Sequence, residues 1–160
     1  MASADAKLAE LGIVLPPTPK PAGTYVPSVI TGNLLFVSGN GPLKPDGTFA
    51  RGKVGREVSV EEAREHARLV GITILGIVRT ALGSLDRVER VVKLLGMVNA
   101  VPEFTDQPKV IDGCADLFVE IFGPERGRGA RSAVGMGSLP FQITVEIEGI
   151  FEITPMSSRA

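Results

Sequence analysis

The chain is poor in the residue types that build redox, metal and base-stacking sites. Its 160 residues include one cysteine, Cys114, one histidine, His66, and no tryptophan. A single cysteine excludes an internal disulfide and fits a reducing compartment. A single histidine leaves little from which to build a histidine-rich metal site or a serine–histidine triad. Aromatic residues make up only 5% of the sequence, so few rings can stack on nucleic-acid bases.

Strong net charge and long apolar runs are also missing. The formal net charge is -1, which creates no strong field for nucleic acid or an anionic membrane. The longest apolar run, from Leu69 to Val78, is far too short to span a bilayer. Residues 1–15 carry Asp5, Lys7 and Glu10 where a secretory leader has its apolar core. We therefore expect a cytoplasmic protein without a membrane or nucleic-acid partner.

The sequence does have enough apolar residues for one domain spanning residues 1–160. Hydrophobic residues make up 44% of it, and this length is typical of a single core. Residues 1–22 predict an N-terminal helix, capped by Ser3, and a stiff proline-rich connector. Residues 23–153 form the predicted core, and residues 154–160 form a frayed tail.

Hydrophobic periodicity and turn residues predict the order β-β-α-β-α-β-β within this core. A glycine–asparagine turn separates the first two strands, a capping box opens the first long helix, and a glycine- and arginine-rich loop precedes the last two strands. The predicted elements are strands at Tyr25–Thr31 and Leu34–Gly39, a turn-rich loop at 40–57, a helix from Ser59 to Leu82, a strand at Val88–Asn99, a helix capped by Asp106, and two strands between Gly129 and Ile153 joined by a Leu139-Pro140 turn.

This order predicts an α+β sandwich, with one mixed sheet and two long helices on one face. Two segments, Leu34–Val37 and Val91–Val98, are apolar on both faces of their strands. A second apolar face needs a cover, and the predicted elements leave no third layer, so a symmetric oligomer is the physical solution. The alternative is that some of these residues are partly exposed.

Charged residues inside the last two strands are the first candidates for function. Arg131 opens one strand, and Glu146 and Glu148 lie inside the other. Charges within strands are expensive unless they are paired, solvated or bind a ligand. A planar guanidinium can grip a carboxylate through two parallel hydrogen bonds, and we expect Arg131 to be left unneutralised by its own chain. Alternatively, Arg131 forms a salt bridge between subunits, and the glutamates lie on a solvated face; for Glu148 we favour structural pairing.

Five motifs occur in a characteristic order along the chain: Gly23-Thr24-Tyr25-Val26, Val37-Ser38-Gly39 with Pro42, Ala130 to Val134, Leu139-Pro140, and Val145 to Ile150. Together they resemble the YjgF/RidA family, over roughly residues 23–153. The resemblance implies a chorismate-mutase-like fold of the Bacillus type and a homotrimer with a ligand site in each cleft between neighbouring subunits. It also implies hydrolysis of reactive 2-enamine or 2-imine acids to 2-keto acids and ammonia, without a metal or an organic cofactor. The implied partner is a small carboxylate-bearing metabolite.

The resemblance also implies roles for individual residues. Arg131 matches the family arginine that holds the substrate carboxylate, and Glu146 matches the glutamate that positions or activates the attacking water. Tyr25 matches the tyrosine near the cleft, while Ser38 and Gly39 match the cleft wall. Without a ligand role, Tyr25 is a half-buried strand residue and Gly39 is a strand-end turn.

Two substrate-binding positions depart from the family pattern. Asp112, on the second long helix, stands where many deaminase members carry asparagine, and Ala133 stands where they often carry cysteine. An ionised carboxylate accepts but does not donate a hydrogen bond, and it would repel an acidic substrate. These departures leave a non-catalytic trimeric binder of small carboxylates as the alternative function.

The remaining reactive or basic residues are assigned structural roles. Cys114 lies on the apolar face of its helix, which predicts a buried thiol. His66 is expected to be exposed or to cap a helix, and Arg126 and Arg128 are expected in a solvated loop. Endoribonuclease activity, a label attached to the family, is poorly supported because the chain has no basic stripe, few aromatics and no histidine pair.

Overall fold

The computed structural model describes residues 3–155 as one mixed sheet with helices packed on one face. This arrangement confirms the predicted α+β class. The sheet contains five strands, and two long helices lie against it. The elements are α1 (Ala4–Glu10), β1 (Ser28–Thr31), β2 (Leu34–Asn40), α2 (Val60–Leu82), β3 (Val88–Asn99), α3 (Gln107–Phe122), α4 (Pro124–Gly127), β4 (Ala130–Met136) and β5 (Val145–Ile153), with 3₁₀ turns at Leu85–Arg87 and Pro140–Gln142.

The strands lie in the order β1-β2-β5-β3-β4, so the last strand of the chain enters the middle of the sheet. β3 and β4 run parallel, and the other neighbouring pairs are antiparallel. The predicted Gly32-Asn33 turn joins β1 and β2. β4 and β5 are not neighbours, because β3 lies between them. Their connector is therefore longer than a Leu139-Pro140 turn and spans residues 137–144.

Helices α2 and α3 form the single helical layer, and their backbones approach closely. A Cβ at Gly71 of α2 would lie 2.9 Å from Leu117 and 3.2 Å from Cys114 on α3. A Cβ at Gly113 would in turn collide with the backbone carbonyl of Arg64 on α2. Glycine at these crossing points allows the two helices to pack against each other without a steric clash.

The ends of the long helices follow local rules, with one exception. Ser59 and Glu62 form the predicted capping box, and α2 ends at Gly83 with left-handed backbone. Asp106 occupies the N-cap position of α3, but its side chain makes no cap hydrogen bond. This predicted cap is wrong because the backbone there is not extended, as capping requires, and the carboxylate pairs with Lys109 at 3.0 Å.

The N-terminal helix is fastened to the turn that precedes β3. Ser3 caps α1 as predicted. Asp5 accepts a hydrogen bond from the Ser84 hydroxyl at 2.6 Å, while Asp86 accepts from the Ser3 hydroxyl and the Ala4 amide, both at 2.6 Å. Asp5 of α1 thus bonds to the start of the 3₁₀ turn, and Asp86 of that turn bonds to the start of α1. These bonds fix the position from which the proline-rich connector begins.

Two predicted boundaries are wrong. β1 begins at Ser28 and not at Tyr25, because the proline just before it has no amide hydrogen with which to extend the ladder. The tail does not begin at residue 154, since the Thr154 amide donates to the Arg87 carbonyl at 2.9 Å. Residues 156–160 of the predicted tail lie outside the described residues.

The sheet face opposite the helices has no cover within residues 3–155. Val29 and Phe36 are 51% and 38% exposed there, and Leu95 and Ile150 line a groove of about 360 Å³ on the same surface. We call this surface the open face. Lys93 and Glu148 line the same groove. Exposed apolar side chains grouped on one sheet face are typical of an interaction surface, in line with the expected need for a cover.

Candidate active site

A cleft of about 760 Å³ lies where the end of β2 meets the start of β5. One wall comes from the segment before β1, and another from the connector between β4 and β5. The cleft brings together four predicted site residues that are distant in sequence: Tyr25, Ser38, Gly39 and Glu146. We call it the Glu146 cleft.

Glu146 reaches across the sheet surface to Gly39 on the neighbouring strand. A Cβ at residue 39 would collide with the Glu146 carboxylate, so glycine gives that side chain its room. Gly39 belongs to β2, beside an irregularity in the pairing with β5, and is not a strand-end turn. Burial raises the pKa of Glu146, and the negative charge of Glu148 raises it further. A half-buried carboxylate with a raised pKa is suited to proton transfer.

Tyr25 and Ser38 are hydrogen-bonded to the backbone of the segment before β1. Tyr25 is 50% exposed, and its hydroxyl oxygen accepts from the Ala22 amide at 3.1 Å. Ser38 donates its hydroxyl hydrogen to the Val26 carbonyl at 2.6 Å. The Tyr25 hydroxyl hydrogen therefore stays available for a ligand, whereas that of Ser38 is already used to hold the cleft wall.

Arg131 lies on the other side of the sheet from Glu146. It is opposite Leu94 of β3, on the face that packs against α3. There Nη1 forms an ion pair with Oδ1 of Asp112 at 2.6 Å. The side chain is 24% exposed and does not line the Glu146 cleft. The expectation that its own chain leaves Arg131 unneutralised is therefore wrong.

The ion pair with Asp112 leaves part of the Arg131 guanidinium available. Asp112 bonds only to Nη1, and residues 3–155 supply no further hydrogen bond to this side chain. Because a guanidinium has five N–H donors, the others can still receive a carboxylate. Ala133 lies on the same face of β4, opposite Gly96, so this part of the strand adds little bulk beside the guanidinium.

Arg131 and Glu146 thus lie apart within one chain. β3 separates β4 from β5, so the backbones of those two strands are about 10 Å apart. Arg131 and Glu146 also project from opposite faces of the sheet. A small molecule cannot contact both groups of the same chain, and a site that uses both must take Arg131 from one copy and Glu146 from another.

Two further sequence interpretations are wrong, while the cysteine is buried as predicted. His66 is half-buried, and its Nδ1 lies 3.1 Å from Oγ1 of the buried Thr144. Arg126 is not a solvated loop residue, because its guanidinium donates to the Val88 carbonyl and lies 6.0 Å from the centre of the Phe122 ring. These contacts give both side chains roles in packing.

The sequence interpretation missed Phe141 and Lys20, which also line the Glu146 cleft. The Phe141 side chain is 64% exposed. An available signal was the position of this aromatic residue, directly after Leu139-Pro140 in a connector where polar residues are usual. Lys20 lies in the proline-rich connector, whose path toward the cleft depends on contacts that are distant in sequence.

Comparison with known proteins agrees with the motifs and the fold. A family model described as "YjgF/chorismate mutase-like, putative endoribonuclease" matches residues 5–147. The chain belongs to the YjgF/RidA family. Its fold is the chorismate-mutase-like fold of that family.

Relatives of this YjgF/RidA protein are similar along most of its length. Protein TCP17 of Trypanosoma cruzi is 43% identical over 148 residues, which cover 92% of each chain. A crystal structure of a protein with unknown function from Agrobacterium tumefaciens is 46% identical, with a TM-score of 0.85 and coverage of 94% of this chain and 92% of that one. A "putative endoribonuclease" from Shewanella oneidensis has a TM-score of 0.91 at 28% identity, and the match covers 95% of this chain and 100% of that one.

Two further properties of the YjgF/RidA chain concern metals and membranes. In the described part of the chain, no group of three or more histidine, cysteine, aspartate and glutamate side chains is placed to hold a metal ion. The helices between residues 3 and 155 include none that is both long and apolar enough to cross a bilayer.

Proposed function

We propose that this YjgF/RidA protein hydrolyses reactive 2-enamine or 2-imine acids to 2-keto acids and ammonia, as a homotrimer in the cytoplasm. The observation that carries the proposal is the half-buried Glu146 carboxylate, which lies over Gly39 in a cleft with Tyr25. Neighbouring copies would cover the open face and bring Arg131 of one subunit to the Glu146 cleft of the next.

In the proposed reaction, water adds to the C=N carbon and the nitrogen leaves as ammonia. Glu146 accepts a proton from the water as the water oxygen bonds to the carbon, and then returns that proton to the nitrogen. As the C–N bond breaks and ammonia leaves, the hydroxyl oxygen becomes the keto oxygen, and its hydrogen passes through Glu146 to solvent. The carbon of a protonated imine is already electrophilic, so orientation and proton transfer supply most of the acceleration. Tyr25 donates its hydroxyl hydrogen to the water or the ligand.

Arg131 would hold the substrate carboxylate through the donors that Asp112 does not occupy. The 2.6 Å contact with Asp112 fixes the plane of the guanidinium, which favours a two-bond grip. The negative charge of Asp112 also lowers the attraction for a second carboxylate. Asp112 would therefore orient the arginine and limit the affinity for the substrate.

Replacing Asp112 with asparagine should tighten substrate binding. Asparagine keeps an oxygen that accepts from Arg131 but removes the negative charge. We expect KM for a 2-imino acid to fall by about tenfold, equivalent to about 1.4 kcal/mol, with little change in kcat. Steady-state kinetics measures both values.

The matched control is Asp116→Asn, because Asp116 lies on the same helix and pairs with Arg64. Its KM should equal that of the wild type. An unchanged KM in Asp112→Asn would show that Arg131 does not meet the substrate carboxylate.

Replacing Gly39 with alanine should lower kcat without unfolding the protein. The added methyl group takes the place of the Glu146 carboxylate, which must rotate away from its position. We expect a loss of about tenfold or more, since misplacing a catalytic group by about 1 Å has a large effect. Gly137→Ala is the control, because a Cβ at that position meets open space; equal kcat in the two variants would contradict the role of Gly39.

The activity itself is tested with a 2-imino acid that an amino-acid oxidase generates in solution. Release of keto acid and ammonia is timed with and without the protein. Acceleration in proportion to protein concentration supports an enzyme. Release at the uncatalysed rate, whatever the protein concentration, rejects it.

A non-catalytic binder of small carboxylates is the second candidate, and Asp112 favours it because it stands where many deaminase members carry asparagine. Equilibrium dialysis that shows 2-keto acid binding, without accelerated imine hydrolysis, would assign this function.

RNA cleavage has the family description in its favour, but Glu146 and Glu148 line the cleft and repel a phosphate backbone. Tight RNA binding in a gel shift at low salt would favour it.

A further inference from the structure

An exposed aromatic side chain on a strained backbone forms one wall of the Glu146 cleft. Phe141 and Gln142 have φ values of 56° and 57°, and among residues 3–155 they are the only non-glycine residues with positive φ. This left-handed conformation is unfavourable for residues that carry a Cβ. The Phe141 side chain is 64% exposed, the largest value for an aromatic residue in the described part of the chain.

Contacts on either side hold this backbone in place. The Gln142 carbonyl accepts a hydrogen bond from the Gly52 amide at 2.9 Å. The Ile143 carbonyl accepts one from Nδ2 of the buried Asn99 at 3.1 Å. Leu139 and Ile143 are themselves buried. Local strain persists only where the surroundings impose it, and it is often associated with function.

The connector at residues 139–143 places the Phe141 ring at the Glu146 cleft. Phe141 lines the cleft together with Phe49, Ile143 and Tyr25, in the same space as Glu146. In a single copy the cleft measures about 760 Å³, which leaves room both for the Arg131 that a neighbouring copy would bring and for a ligand larger than a three-carbon acid. An apolar ligand group that covers the Phe141 ring would remove apolar surface from water.

We propose that Phe141 selects substrates whose side chain is large and apolar. The inference rests on the proposed imine hydrolysis and names its substrate class, which is 2-imino acids with branched aliphatic or aromatic side chains. The C=N carbon lies at Glu146, and the side chain packs against Phe141 and Phe49. Imino acids with a short side chain leave the Phe141 ring uncovered and are poorer substrates.

The test compares kcat/KM for imino acids derived from alanine, leucine and phenylalanine. The wild type should prefer the phenylalanine derivative over the alanine derivative by about tenfold or more. Phe141→Ala should lower this ratio by about tenfold while hydrolysis of the alanine derivative changes less than about twofold. Val14→Ala is the control, since Val14 is 87% exposed and lies outside the cleft. The same ratio in Phe141→Ala and the wild type would overturn the inference.

Binding separates failure of this inference from failure of the proposed function. If no imino acid is hydrolysed, the wild type should still bind phenylpyruvate more tightly than pyruvate, and Phe141→Ala should lose that difference. Equal affinities in the wild type would overturn the selection. In the remaining case Phe141 packs against a neighbouring subunit and not against the ligand. Light scattering would then show that the Phe141→Ala assembly dissociates. Dissociation with an unchanged kcat/KM ratio between the phenylalanine and alanine derivatives would also overturn the inference.

Discussion

Replacing Glu146 with glutamine should lower kcat for imino-acid hydrolysis by about 100-fold or more. Glutamine has the shape of glutamate but cannot accept the proton of the attacking water. KM should change little, because in the proposed site Arg131, and not Glu146, holds the substrate carboxylate. Steady-state measurement of keto-acid release gives both constants.

The control for this variant is Glu152→Gln. Glu152 lies on the same face of β5 but outside the cleft, where it pairs with Arg90 at 3.6 Å. It should retain the wild-type kcat. If Glu146→Gln also retained the wild-type kcat, Glu146 would have no part in the reaction.

The pH dependence gives a second measure of Glu146. Burial, followed by the charge of Glu148, raises the pKa of Glu146 above its usual value. Because only the ionised form accepts a proton, activity should fall as pH decreases through this raised pKa, and this fall should be absent in Glu146→Gln.

The raised pKa of Glu146 also affects folding: the free energy of unfolding decreases as Glu146 ionises at rising pH. Glu146→Gln should therefore be at least as stable as the wild type at neutral pH.

Removing the Arg131 guanidinium should mainly weaken substrate binding. We expect Arg131→Ala to raise KM by about 10- to 100-fold, since a hydrogen bond to a charged group contributes about 1.5–3 kcal/mol. Arg131→Lys should restore only part of the affinity, because an ammonium cannot make two parallel bonds in one plane. Titration with a 2-keto acid measures the same loss at equilibrium.

Two further variants make this result specific. Arg131→Ala leaves the Asp112 carboxylate without its partner, so Arg131→Ala combined with Asp112→Ala should show the loss of affinity without the stranded charge. Arg56→Ala is the control, since Arg56 is exposed and pairs with its neighbour Glu57. Wild-type affinity in the double variant would contradict a ligand role for Arg131.

Local features were predictable because a few adjacent residues determine them. The Ser59–Glu62 capping box, the helix end at Gly83 and the Gly32-Asn33 turn are all present in the structure. Hydrophobic periodicity also predicted the α+β class and the apolar open face. The ordered motifs identified the family, which the comparison confirmed over residues 5–147.

The surroundings of Arg131 were not predictable, because long-range packing determines them. Asp112 is 19 residues away in sequence, and the edge strand β4 lies beside α3 only because β4 pairs with β3 in parallel. The left-handed backbone at Phe141 has the same kind of cause, since Gly52 and Asn99 hold it from elsewhere in the chain. Sequence patterns do not report such contacts.

Mixing two impaired variants, assayed at a substrate concentration well below KM, tests most directly whether subunits share one site. Every site lacks the guanidinium in an assembly of Arg131→Ala chains and lacks the base in an assembly of Glu146→Gln chains. When the two chains are unfolded and reassembled together, some sites combine an intact Arg131 with an intact Glu146 from the neighbouring subunit. A shared site predicts recovery to about a quarter of wild-type activity by random assortment. Activity no greater than that of the two variants measured separately would contradict it.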